Sequence, residues 1–191
     1  MPARTSPSCA PPATPCWRAA DAAGVTVETR ERLRLFYAAD DLYDLVAEVR
    51  KYPQFIEQIT AMRVLSESHD GPRTTMTCEA RVRYKFVTER FTSKVEADAA
   101  KRTIEVDFVA GPFRVLENCW RFYPLSDGST LVEFFVKAAF KNPILQMLLD
   151  SNRERAARMM VQRFSDEAER RYVRTGDPGR ALSEEIDAVG E

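Results

Sequence analysis

The stretch NPILQMLLDSNRERAARMMVQRFSDEAERRYV, Asn142 to Val173, carries the longest unbroken helical period in this 191-residue chain. Asn142 is a good N-cap, and Pro143 suits the first helical position, where a missing N–H costs nothing. Thr175-Gly176-Asp177-Pro178-Gly179 then stops the helix. At about 100° per residue, Leu145, Leu149, Ala156, Met160 and Phe164 fall on one face, flanked by Leu148 and Met159. Glu154, Arg155, Arg158 and Gln162 fall on the other. The spacing predicts one long, one-sided helix whose apolar side must cover something.

What it covers lies upstream. Val25 to Tyr37 alternates loosely and ends in Leu33, Leu35 and Tyr37, and its second half reads as a first strand. Asp40 or Asp41 then caps a short helix with Leu42, Leu45, Val46 and Val49 at helical spacing. Tyr52-Pro53-Gln54-Phe55 starts a second short helical piece. From Met62 to Phe140 the period is that of strands. Val82, Tyr84 and Phe86 alternate with Arg81, Arg83 and Lys85, and Phe91, Ser93 and Val95 oppose Arg90, Thr92, Lys94 and Glu96. Asp70-Gly71, Gly111-Pro112 and Asp127-Gly128 mark turns. The class is α+β, an antiparallel sheet of about six to seven strands with two short helices after the first strand and the long helix last. The helix and sheet can interdigitate into a solid core, or they can stand apart around a hollow.

Residues 1–24, with Pro2, Pro7, Pro11, Pro12 and Pro15, read as a disordered tail. Residues 25–174 form one domain, and residues 175–191 a polar C-terminal tail. The net charge of −1 supplies no global field toward nucleic acid or membrane. No apolar run approaches the roughly 20 residues that span a bilayer. Cys9, Cys16, Cys78 and Cys119 form no CxxC pair, and the expectation is reduced thiols in a cytoplasmic protein.

Catalytic and metal constellations are sparse. The single histidine, His69, sits in turn chemistry, and no His/Cys cluster of zinc type exists, so no metal is expected. Asp107, Glu117 and Glu133 read as solvated or paired with Arg114 and Arg121. Asn152 and Arg153 stand at the edge of the helix's apolar side, as cavity anchors or rim residues. Arg81, Arg83 and Lys85 form a basic ladder that either faces solvent or meets anionic lipid or RNA phosphate. The aromatic set Phe91, Phe108, Phe113, Trp120, Phe122, Phe134 and Phe140, with Met147, Met159 and Met160 opposite, makes either a core or an apolar pocket.

Tyr43-Asp44-Leu45-Val46, Tyr52-Pro53-Gln54-Phe55, Phe91-Thr92-Ser93-Lys94-Val95, Gly111-Pro112-Phe113 through Trp120-Arg121-Phe122, and Val132-Glu133-Phe134 occur in one order. In these motifs the chain resembles the coenzyme Q-binding proteins of the START-like (polyketide cyclase/dehydrase-type) superfamily, across residues 28–173. It departs from that pattern after Phe55, where Ile56-Glu57-Gln58 replaces a Leu-Pro-aromatic run. The resemblance implies a helix-grip fold around an apolar tunnel. It implies a non-catalytic carrier that binds ubiquinone or a related polyprenyl quinone as ligand, with no cofactor, in support of respiration and ubiquinone synthesis. The ligand-binding residues expected on this basis are Tyr52, Phe55, Phe91, Phe113, Leu116, Trp120, Phe122, Phe134, Leu145, Leu149, Met160 and Phe164. Arg81, Arg83 and Lys85 would touch the inner-membrane surface transiently. Two other functions occur on similar chains: a ribosome-association toxin that binds the large ribosomal subunit, and a polyketide cyclase or aromatase.

Overall fold

The computed structural model describes residues 26–84 and 87–189, the side chains of Tyr84, Arg153, Glu154 and Ala156 excepted. The proline-rich stretch 1–24 and Lys85 lie outside the described residues. The chain runs β1 (Val27–Leu35), α1 (Ala39–Ala47), α2 (Tyr52–Phe55), β2 (Ile59–Asp70), β3 (Arg73–Tyr84), β4 (Val87–Asp98), β5 (Thr103–Ala110), β6 (Phe113–Pro124) and β7 (Thr130–Phe140). Then come α3 (Pro143–Asp150), α4 (Arg153–Arg171) and α5 (Ser183–Ala188). Among the described residues the seven strands form one antiparallel sheet in the order β1-β7-β6-β5-β4-β3-β2. Strands β2 to β7 are thus a continuous meander, and β1 extends it by pairing with β7 from Val27↔Ala138 to Leu35↔Thr130. This is the expected α+β helix-grip architecture.

Asp40 and Asp41 do not cap α1. Ala38 holds the N-cap without a side-chain hydrogen bond, and the two carboxylates stand in the first turn, where the helix dipole favours them. The single long helix expected over residues 142–173 is in fact two. Asn142 does cap the first, its side chain accepting from Ile144 N at 2.8 Å. At the junction Ser151 Oγ donates to Met147 O and Asn152 Nδ2 to Leu148 O, and Asn152 leaves the helical region at φ −132°, ψ 12°. Short polar side chains of this kind compete with the helical ladder for its own carbonyls.

The break resets the phase. In α4 the buried apolar residues among those described are Ala157, Val161, Phe164 and Ala168, about a quarter-turn round from the face that Leu145 and Leu149 would continue. That face joins Leu42, Leu45 and Val46 of α1 and Ile104, Trp120 and Phe134 of the sheet in one apolar cluster.

The stretch 175–191, expected as a polar tail, folds back on the sheet over its described residues, 175–189. Leu182 is buried against Leu125 and Leu131. Arg32 donates to the carbonyls of Ile186 and Val189, and Ser126 binds Glu185 through its amide and hydroxyl.

Candidate functional site

Strand alternation decides which side chains face the helices. On β4 it sends Phe91, Ser93 and Val95 inward, on β6 Leu116, Asn118 and Trp120, and on β7 Phe134, Val136 and Ala138. From above come Val46 and Val49, Tyr52, Leu149 of α3, and Ala157, Met160 and Phe164 of α4. The two layers do not interdigitate fully. They leave between them a half-open cavity of about 270 Å³.

Of the residues expected to line a tunnel, Tyr52, Phe91, Leu116, Trp120, Phe134, Leu149, Met160 and Phe164 stand in its wall. The other four are outside it. Phe55 stands behind, with edge contacts to Tyr52 and Phe164 at 5.9 and 5.2 Å. Phe122 is buried beneath Trp120, its ring stacked at 6.3 Å. Phe113 sits at the rim, stacked on Phe140 at 4.4 Å and edge-on to Phe91 at 5.2 Å. The register irregularity pairs Phe113 with Phe140 in the inward row, but beyond Leu116 and Ala138, where the cavity ends. Leu145 is buried on α3 and does not reach the cavity.

The wall is uncharged among the described residues: it holds no Asp, Glu, Lys, Arg or His. Its titratable groups are pinned neutral. Burial pushes the Tyr52 phenol far above its ordinary range, and its hydroxyl donates to Val46 O. Burial likewise pushes the Cys78 thiol up to about 11. Both stay protonated near neutral pH, so neither is poised as a general base there. The floor nevertheless carries polar groups that the aromatic pattern did not single out: Thr29, Ser93 and Asn118. Ser93 is only 5% exposed. Asn118 Nδ2 donates to Phe135 O at 3.1 Å. The alternation Leu116, Asn118, Trp120 was a signal for Asn118, and Ser93 lay in a recognised inward row.

Other candidates lie elsewhere. Arg81 and Arg83 are exposed on the opposite face of β3 from the cavity. Arg81 pairs in register with Arg90, which bridges to Glu79 at 3.5 Å. Glu133 pairs with Arg32 at 2.9 Å. His69 is exposed, its Nδ1 3.0 Å from Thr74 Oγ1. Asn152 is spent on the helix break. Among the described residues no His/Cys/Asp/Glu cluster suits a metal, and no helix is long and apolar enough to cross a membrane.

Residues 36–165 match the family described as polyketide cyclase / dehydrase and lipid transport. The chain belongs to this family. Within the polyketide cyclase / dehydrase family it is 32% identical to ribosome association toxin RatA of Escherichia coli (strain K12), over 71% of this chain and 83% of that protein. It is 27% identical to coenzyme Q-binding protein COQ10 homolog B, mitochondrial, of Xenopus laevis, over 80% of this chain and 62% of that one. Among solved structures, an 18 kDa protein of Caulobacter crescentus is 35% identical, covering 77% of this chain and 97% of its own, with a TM-score of 0.63. The Zhui aromatase/cyclase of a Streptomyces species shares the fold, with a TM-score of 0.66 at 16% identity over 77% and 96% of the two chains.

Proposed function

We propose that the protein is a non-catalytic carrier that shelters the ring of ubiquinone or a related polyprenyl quinone. The observation that carries this reading is the uncharged cavity of about 270 Å³ between helices and sheet. That volume sits near the lower end of ordinary ligand cavities, about 300 Å³. It suits a substituted ring and not a whole isoprenoid tail. In this reading the ring is enclosed and the tail leaves between α3 and the Gly111-Pro112 turn. Apolar surface withdrawn from water there contributes about 25 cal/mol per Å². A wall without a titrating group near pH 7 gives no purchase for the acid-base steps of a cyclase. The name of the coenzyme Q-binding relative points the same way.

Loading would take place at a membrane surface, reached from the cytoplasm. Ile144 and Met147 of α3 are 58% and 61% exposed, and Val109 of the β5–β6 turn region is 55% exposed. They offer an apolar contact for the bilayer, with Arg81 and Arg83 available to anionic headgroups.

The test is mass spectrometry of an organic extract of the purified protein, beside the variant Leu149→Arg. Leu149 is a half-buried wall residue, so this variant keeps its fold and loses the co-purified quinone. Quinone retained at the wild-type level defeats the reading. Trp120→Ala is the poorer probe, because Trp120 is 5% exposed and its truncation costs about 3–5 kcal/mol of stability.

A ribosome-binding module is the second reading, favoured by the 32% identity to RatA. Sedimentation with the large ribosomal subunit at physiological salt, lost in Arg81→Glu/Arg83→Glu, would support it.

A further inference from the structure

Two polar atoms on the cavity floor have no hydrogen-bond partner among the described residues: Ser93 Oγ and Asn118 Oδ1. Neither is shut away from space. The buried and unpartnered side-chain oxygen is that of Gln58, outside the cavity wall, so both floor atoms retain accessible surface. For residues on the inward face of β4 and β6, that surface is the cavity.

The orientation of the Asn118 amide is dictated by its neighbour. Phe135 O is a backbone carbonyl and can only accept, so the amide must turn its NH2 group toward it. The cavity therefore meets the carbonyl end, a fixed acceptor. A serine hydroxyl is different, since it rotates to donate or accept. The register places the two groups on strands separated by β5, through Val95↔Val106 and Val106↔Asn118, with Ser93 opposite Phe108. Two strand spacings of about 10 Å and an offset of about 7 Å along the strand put the two backbone positions about 12 Å apart. A ring bearing oxygens at opposite ends, with a hydrogen bond at each, fills such a span.

We propose that Asn118 makes the cavity selective for a hydroxylated ring, a hydroquinone or phenol, over the corresponding quinone. The inference rests on the carrier reading and specifies the ligand class of that same site. A hydroquinone presents an O–H to Asn118 Oδ1 and completes its bond. A quinone presents a second acceptor there, and both oxygens stay desolvated and unpaired. Ser93 accommodates the far oxygen in either form and adds affinity without discrimination. The expected preference is roughly tenfold or more.

The test uses three probes on the full chain under anaerobic conditions: trimethylhydroquinone, trimethylbenzoquinone and farnesol, followed by calorimetry and by tryptophan fluorescence in a Trp17→Phe background that leaves Trp120 as the reporter. The wild-type protein should bind the hydroquinone roughly tenfold tighter than the quinone. Asn118→Leu should bind both ring forms equally and leave farnesol unchanged. Ser93→Ala should weaken both ring forms by the same factor, which keeps the site testable if Asn118→Leu fails to fold by circular dichroism. Equal or inverted ring affinities in the wild type, with farnesol bound, overturn this inference and leave the carrier reading standing. A preference that survives in a folded Asn118→Leu protein also overturns it. Failure of all three probes to bind removes the carrier reading and this inference together.

Discussion

The sheet holds buried polar side chains in two places, and the two are built on opposite terms. At the β6–β7 turn, Asp127 accepts from Arg34 Nη2 at 2.5 Å, Ser129 N at 3.0 Å, Ser129 Oγ at 2.6 Å and Asp177 N at 2.7 Å. Arg34 completes itself on Ser129 Oγ and on the carbonyls of Arg180 and Asp177. On the cavity floor, Ser93 and the Asn118 carbonyl oxygen are left open. A saturated network in a low dielectric fixes geometry, whereas an open polar group there is tolerable only if something else completes it. The first place holds the C-terminal segment against β1. In the carrier reading, the second is completed by a ligand.

Removing the hub of the saturated end should have the largest effect. Asp127→Ala strips Arg34 and Ser129 of their acceptor and frees Asp177 N, at a cost of about 3 kcal/mol. Urea unfolding measures it, and a loss below about 0.5 kcal/mol, the level of an ordinary surface change, would break the contrast. The network also carries a pH signature. Burial pushes the Asp127 carboxyl upward, but bonds from the Ser129 hydroxyl, the Asp177 and Ser129 amides and Arg34 outweigh it and hold it well below the usual carboxylate range. A depressed folded value means the contribution is full above the unfolded value of about 3.9 and is lost as pH falls below it. The wild type should therefore lose stability below about pH 4 more steeply than Asp127→Asn.

Next in size is the rim of the cavity. Gly111 turns from β5 to β6 at φ +134°, and a Cβ there would lie 2.6 Å from Phe91 Cβ and 2.9 Å from Arg90 O. The second contact is backbone and cannot swing away. Gly111→Ala should cost about 2 kcal/mol and push Phe91, a wall residue, into the cavity space. Ligand affinity should fall with it. An unchanged melting temperature would mean that this end is soft where the other is rigid.

Much of this architecture was legible in the chain. The strands could be read because a period of two survives over β4 and β6, and the turns because Asp70-Gly71 and Asp127-Gly128 have the chemistry turns need. The helix break was not, since Ser151 and Asn152 act through local bonds to Met147 and Leu148 that a periodicity window cannot see. The packing of the C-terminal segment rests on Leu182 and Ile186, too few apolar residues to make a pattern. In the site, Trp120, Phe134, Met160 and Phe164 were visible as large apolar groups. Phe113 misled because it faces inward but stands beyond the end of the cavity. Ser93 was legible in its row but, like Asn118, did not stand out, because a polar residue in an apolar row reads as noise until a hollow is seen in front of it.

The smallest effect is the sharpest comparison, because the same substitution is made at both places. Ser129 is fully buried and Ser93 nearly so. Ser129 Oγ donates to Asp127 and accepts from Arg34 Nε at 2.8 Å, so Ser129→Ala leaves a carboxylate and a guanidinium each short of a bond. It should cost about 1–3 kcal/mol. Ser93→Ala deletes a hydroxyl that bonds to nothing among the described residues and exchanges a polar wall atom for an apolar one. Its effect on the unliganded fold should be near zero or slightly stabilising, within about 0.5 kcal/mol. Urea midpoints of the two variants decide the matter. If Ser93→Ala destabilises the empty protein as much as Ser129→Ala does, then Ser93 is already satisfied from within, and the floor of the cavity is core of the same kind as the turn.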